Sequence, residues 1–252
     1  SGVVVDVGPE GDAADRCLDE LGIDRIDLLV LTHHHADHVG GLAPVLAGRQ
    51  VHAALVSPLE RPPGQAARSL AALDRAGVPV QVAAAGEVGQ VGDLRWSVLW
   101  PRDEGSGAGG ASGTGGGAAS ADAEVNDSSV VLLIEAPELS VLALGDVEPP
   151  AQEQIAADLP PPAARADIVK VAHHGSAHQA DRLAQLVSPA LALISAGVDN
   201  TYGHPAPSAV RLYQDVGALV LSTDRCGPIA VAREPGAVGV DGALRVTAAC
   251  LE

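Results

Sequence analysis

The segment Leu31-Thr32-His33-His34-His35-Ala36-Asp37-His38-Val39-Gly40-Gly41 sets a His-x-His-x-Asp-His array directly behind an apolar run. Imidazole nitrogens and carboxylate oxygens are good ligands for zinc, and serve manganese or iron where carboxylates contribute. A loop leaving a strand end can aim alternate residues into one cavity, so His33 and His35 are expected on one ion, with Asp37 and His38 turned to a second. The alternative, a solvated histidine tract, would have no reason to include Asp37 or to end in a Gly-Gly turn. The chain's nine histidines also cluster: His33 to His38, His173 to His178, and His204 hold eight of them, with only His52 outside.

Two further segments carry ligand chemistry. Asp146 follows the apolar run Val141-Leu142-Ala143-Leu144, and a carboxylate there has two oxygens that can face different ions. His173 and His174 follow a second apolar run, with Gly175 permitting close backbone approach; one of the pair could ligate while the other acts as acid or base. His204, in Gly203-His204-Pro205, either lines the same site or marks a turn. Asp6 could accept an N–H from a ligating imidazole, or cap a turn. Asn126, Asp127 and Ser128 are read as turn formers, and His52, inside an apolar stretch, as structural.

The elements that must position these groups follow from periodicity. Val3-Val4-Val5 and Ile26–Leu31 read as strands, Asp12–Leu21 as a helix, and Leu42–Ala47, Val51–Val56 and Ala66–Ala76 as helix, strand and helix. Between Val78 and Trp100, short runs divided by Gly86, Gly89 and Gly92 suggest an antiparallel meander. Glu104–Ala121 is almost entirely Gly, Ala and Ser, a disordered insertion rather than a link between domains. Ser128–Glu135 and Leu139–Leu144 read as a hairpin, followed by a helix from about Ala151 to Asp158 and a buried strand at 167 to 172. Helix, strand and helix then recur at Gln179–Leu186, Ala190–Ser195 and Ser208–Val216. The whole is expected to be one domain over residues 1–252, an α/β/β/α four-layer sandwich.

Composition narrows the function. The 252 residues carry a formal net charge of −17, so the surface as a whole repels polyanions and a phosphate-bearing substrate must be held locally by bound divalent ions. Lys170 is the only lysine among fifteen basic residues, a bias ascribed to genome composition. Cys17, Cys226 and Cys250 are odd in number and far apart, which points to small buried residues rather than a disulfide framework. No apolar run approaches the roughly 20 residues of a membrane span. Walker loop, Rossmann fingerprint and Gly-x-Ser-x-Gly elbow are all missing, leaving metal-assisted hydrolysis as the economical chemistry.

Taken together these motifs resemble the metallo-β-lactamase superfamily. Within it, Asn126–Leu132, Leu144-Gly145-Asp146-Val147-Glu148, Asp167–Ser176, Tyr202-Gly203-His204-Pro205 and Ser222-Thr223-Asp224-Arg225 resemble the C-terminal domain of the ComEC competence family, over nearly the whole chain. The resemblance implies a nuclease-like domain fused to a membrane DNA-uptake channel, degrading the strand that is not taken up. It implies two divalent ions, zinc or manganese, with metal ligands His33, His35, Asp37, His38, Asp146 and His173, and Asp37, His174 and His204 in catalysis. The last ligand could equally be His174 or His204. Single-stranded DNA is the expected substrate and the channel the expected partner; the piece itself is expected to be a soluble monomer, on the extracytoplasmic face. Two departures stand out: the family's opening Val-Gly-Gln-Gly-Asp strand is missing before Asp6, and a further histidine before the bridging aspartate is replaced here by Asn126 and Asp127. A small-molecule phosphoesterase or lactonase, and a catalytically silent interaction domain, are the alternatives.

Overall fold

The computed structural model describes residues 2–102, 120–159, 165–233 and 244–251. They form two compact units, residues 1–92 with 97–131, and residues 93–96 with 132–252.

In the first unit, β1 (Val3–Val5) leads to α1 (Ala13–Glu20), β2 (Arg25–Ile26) and β3 (Leu28–Leu31). The single-turn α2 (Ala36–Val39) and α3 (Leu42–Leu46) follow, then β4 (Gln50–Val51), β5 (Ala54–Val56), α4 (Pro63–Arg75) and β6 (Val80–Val82). Strands β1, β3, β5 and β6 form a parallel sheet in the order β1-β3-β5-β6. All four residues of β3 are buried, as expected of a strand covered on both faces. Its side chains meet Leu18, Val39, Leu42, Val45 and Leu73 from the helices in one apolar core. β2 and β4 make a separate short parallel pair.

β7 (Val88–Val91) and β8 (Leu94–Trp100) flank the turn at Gly92, and β8 begins in the second unit and ends in the first. α5 (Ala121–Asp127) closes the first unit, its N-terminus capped by Ser120, whose side chain accepts from the Ala123 N–H at 3.1 Å.

The second unit contains β9 (Val131–Ala136), β10 (Leu139–Ala143), α6 (Pro149–Asp158), β11 (Ile168–Lys170), α7 (Asp181–Val187), β12 (Leu191–Ile194), α8 (Pro207–Asp215), β13 (Leu219–Ser222) and α9 (Thr223–Cys226). β10 to β13 run parallel in the order β13-β12-β11-β10, and β9 pairs antiparallel with β10. β14 (Ala230–Arg233) and β15 (Leu244–Thr247) form an antiparallel pair.

Several expectations are corrected. β6 pairs parallel with β5, so the stretch after Val78 is not wholly an antiparallel meander: Val80–Val82 completes the first sheet. The expected strand at Val51–Val56 is interrupted at His52, which is exposed rather than structural. Asn126 and Asp127 lie in the last turn of α5 rather than in a free turn, and Ser120 and Ala121 belong to that helix, not to the low-complexity insertion. The rest of the insertion, 104 to 119, lies outside the described residues. Cys226 and Cys250 form a disulfide between α9 and the final turn, Ala249–Leu251, and Cys17 is exposed. Their separation of 24 residues said nothing about proximity, because the antiparallel β14–β15 pair, with Ala230 opposite Thr247, returns the chain to α9.

Candidate metal centre

In both units the candidate residues sit just beyond the carboxyl ends of parallel strands, where open α/β sheets place their ligand sites. In the first unit Asp6 follows β1 and Thr32-His33 follow β3. Asp6 is held in the left-handed region at φ 57°, an uncommon conformation for a residue other than glycine. Its carboxylate reaches across to the neighbouring strand end, accepting the Thr32 backbone N–H at Oδ1 and the Thr32 hydroxyl at Oδ2, both at 2.8 Å. His38 Nδ1 also donates to Asp6 Oδ2, at 2.7 Å. That bond fixes the tautomer of His38 and leaves Nε2 with its lone pair outward. The orienting role considered for Asp6 is therefore the one its geometry serves.

His33 is set by the same network. Thr32 Oγ1 gives its proton to Asp6, so it can only accept from His33 Nδ1, 3.2 Å away, and Ser129 Oγ lies at the same distance. Nε2 of His33 then carries a lone pair, and it faces His35 Nδ1 at 3.0 Å. Two imidazole nitrogens so placed are close to the separation expected of a pair sharing one ion at about 2.0–2.1 Å. His33 and His38 are fully buried, whereas Asp37 is exposed, with its Oδ2 4.0 Å from His38 Nε2. The loop keeps this shape because Gly40 and Gly41 touch the segment after β1: a Cβ on Gly40 would lie 2.3 Å from the Glu10 nitrogen, and one on Gly41 2.3 Å from the Val7 carbonyl.

His34 is the exception in the motif. Its side chain is wholly buried, neither ring nitrogen has a hydrogen-bond partner among the described residues, and burial pushes its pKa below the ordinary histidine value. It fills space and stays neutral.

In the second unit Asp146 follows β10, and the loop after β11 carries His173 and His174, both with left-handed backbone at φ 46° and 51°. Consecutive left-handed residues of this kind store strain that the surroundings must hold in place. Gly175, at φ 73°, is pressed against Ile194 and Pro205: an added Cβ would meet each at 3.1 Å. This contorted turn directs the two rings differently. His174 Nδ1 donates to the Ser195 carbonyl, which follows β12, at 2.8 Å, leaving Nε2 as an acceptor 3.2 Å from Asp146 Oδ2. Two acceptors at that distance need a cation to share, which fits a metal ligand pair. His173 Nδ1 instead donates to Glu148 Oε1 at 2.8 Å. His204 lies with its ring 5.5 Å from that of His173, and its pKa is lowered by burial first, then by the neighbouring His173 and His174. Lys170, the last residue of β11, donates to Gly145 O at 2.7 Å and to Asp146 Oδ1 at 3.2 Å.

Residues 1–187 match the sequence model of the metallo-beta-lactamase superfamily. The chain belongs to this superfamily. Among curated relatives, ComE operon protein 3 of Bacillus subtilis (strain 168) is 31% identical over 215 residues, 82% of this chain and 25% of the relative, so the chain spans about a quarter of that protein. Among solved structures, the metallo-beta-lactamase fold protein YhfI from Bacillus subtilis matches with a TM-score of 0.51 at 13% identity, over 87% of this chain and 83% of that one. CmlA, a diiron beta-hydroxylase from Streptomyces venezuelae, gives 0.49 at 19% identity over 78% and 43%. The α/β fold class expected from the sequence is thus the metallo-β-lactamase one.

The superfamily motif made the histidine loop legible, and metallo-β-lactamase membership makes the chain a hydrolase-family protein of a kind that binds divalent metals. The hydroxyls of Thr32 and Ser129, Glu148, the Ser195 carbonyl and Lys170 were not assigned roles from sequence. Ser129 lay beside the Asn126-Asp127 pair and Glu148 two residues beyond Asp146, but nothing in residue type or spacing tied either to a particular imidazole. Only the fold shows what each holds.

Proposed function

We propose that this chain is a metal-dependent phosphodiesterase acting on single-stranded DNA, and that its two units work as one domain serving a DNA-uptake channel by degrading the strand not taken up. The observation that carries the metal requirement is the set of imidazole nitrogens whose protons are committed elsewhere: His38 to Asp6, His33 to a hydroxyl, His174 to Ser195 O. In the first unit His33, His35, Asp37 and His38, and in the second unit Asp146 and His174, are the groups that would bind metal. A divalent ion bound there, zinc or manganese, supplies a Lewis acid and makes water a nucleophile near neutral pH.

The remaining groups move the proton and hold the substrate. Of His173, His174 and His204, each open from sequence as the last ligand, the hydrogen bonds favour His174 as the ligand and leave His173 for proton transfer. His173, backed by Glu148, can give a proton through Nε2 to a leaving oxygen while Glu148 stabilises the charged ring. His204, kept neutral by burial and by its histidine neighbours, can line the phosphate as a hydrogen-bond partner. In the first unit a groove of about 480 Å³ between α2 and α4 is bordered by Glu10 but also by Arg68 and Arg75, cations one heptad apart that could follow a phosphate backbone. The ComEC resemblance and the ComE operon relative support DNA as substrate. The Cys226–Cys250 disulfide suits an extracytoplasmic, oxidising setting, and no described helix is long and apolar enough to cross a membrane.

The charge of −17 favours a second reading, a small-molecule hydrolase on the same fold. End-labelled single-stranded DNA, a phosphodiester test compound and a lactone, each assayed with chelator-stripped protein resupplied with manganese, zinc or magnesium, decide between them. Metal-restored DNA cleavage by wild type and none by Asp37→Ala is the expected result. Turnover of the small ester alone would transfer the site to the second reading.

A further inference from the structure

Fourteen of the fifteen basic residues in this chain are arginine; the exception is Lys170. A compositional preference for arginine explains the fourteen. It leaves unexplained why the one lysine stands beside Asp146.

The place is specific. Lys170 ends β11 in register with Ala143 of β10, so its side chain rises beside the Gly145-Asp146 turn that leaves β10. Gly145, at φ 53°, turns its carbonyl toward the ammonium, which binds it at 2.7 Å and Asp146 Oδ1 at 3.2 Å. Asp146 is almost fully buried and Lys170 largely so. A lysine ammonium is a compact point charge that can serve a carbonyl and a carboxylate oxygen at once, whereas a planar guanidinium would claim the carboxylate through both oxygens. His174 Nε2 faces the other oxygen, Oδ2, at 3.2 Å. The two oxygens of Asp146 are thus given different partners: Oδ1 a fixed cation, Oδ2 the ligand side.

We infer that Lys170 is a positioning residue whose ammonium takes Asp146 Oδ1 and stands in for a second divalent ion, so that the chain binds one ion tightly rather than two. This rests on the metal-dependent reading above and departs from the two-ion expectation. Lys170 also keeps Asp146 turned toward His174, because the same ammonium grips the backbone of the turn and its side chain.

The test is metal stoichiometry and spectroscopy rather than turnover. Chelator-stripped wild type, Lys170→Met and Lys170→Arg, each checked for folding by circular dichroism, are titrated with zinc and with manganese, and bound metal is counted after gel filtration. Wild type is expected to retain one ion per chain, with a manganese resonance spectrum of isolated ions. Lys170→Met is expected to bind a second ion at least tenfold more tightly than wild type and to show coupling between two manganese ions; Lys170→Arg, whose guanidinium would claim both oxygens of Asp146, is expected to gain no second ion and to hold the first less tightly than wild type. Two tight ions in wild type would overturn the inference whatever the variants do, as would a folded Lys170→Met with unchanged stoichiometry and spectrum. No binding of either metal by wild type would instead overturn the metal-dependent reading itself.

Discussion

The histidine loop after β3 and the set of groups at the ends of β10, β11 and β12 do comparable work by opposite means. In the loop, the candidate ligands His33, His35, Asp37 and His38 lie within six consecutive residues, His33 and His35 in extended chain and Asp37 and His38 in the single turn of α2. In the second unit Asp146, Lys170, His174 and Ser195 come from four separate positions, gathered because parallel pairing aligns the strand ends. The first arrangement depends on local backbone, helped by two glycines that let the β1 segment approach; the second depends on sheet register and on a strained turn. A short motif therefore tolerates little change in spacing, whereas a dispersed set tolerates little change in packing.

Removing the exposed carboxylate of the loop should have the largest effect: Asp37→Ala is expected to abolish metal-dependent turnover while circular dichroism and thermal midpoint stay close to wild type. A large loss of folding instead would mean that the loop is as structural as the second unit's turn. Next comes the support of the loop, where Asp6→Ala deprives His38 of its acceptor; metal affinity, measured by competition with a chromogenic chelator, should fall about 10- to 100-fold. On the other side of the comparison, packing should dominate. Reducing the Cys226–Cys250 link by Cys226→Ser is expected to cost about 3 kcal/mol in denaturant unfolding, the scale for closing a loop of that length. Gly175→Ala combines an unfavourable φ with crowding by Ile194 and Pro205 and should cost about 1–3 kcal/mol, accompanied by weaker metal binding because His174 is displaced. The smallest effect is expected at His34, which has no hydrogen bond to lose among the described residues: His34→Leu should change stability by less than about 1 kcal/mol and leave metal affinity intact. A strong loss of metal from that variant would show that the loop's middle histidine is not the spacer its surroundings suggest.

Much of this was legible in the chain before any coordinates. The Ile26–Leu31 run announced a buried strand because a parallel strand is covered on both faces, and the His-x-His-x-Asp-His spacing announced ligands because few other chemistries need that pattern. Helices α1, α3, α4, α6, α7 and α8 were found to within a few residues, since their apolar periodicity is local, whereas the short α2, α5 and α9 were not read as helices. What the sequence misplaced was non-local. Val80–Val82 reads as any short strand, and only its partner decides that it runs parallel to β5. His52 looked buried by its neighbours and is exposed, because the strand breaks there.

The same division explains the site. By itself, the sequence determined the superfamily, the strand–helix alternation and the candidate metal-ligating residues, all of which are written in residue type and short-range spacing. Tertiary structure decided that Asp6 orients His38, that the Ser195 carbonyl holds His174 Nδ1, that Cys226 meets Cys250, and that the only lysine grips Asp146. Those outcomes depend on distances between segments tens of residues apart, and such distances are set by sheet register and core packing, which no local pattern encodes.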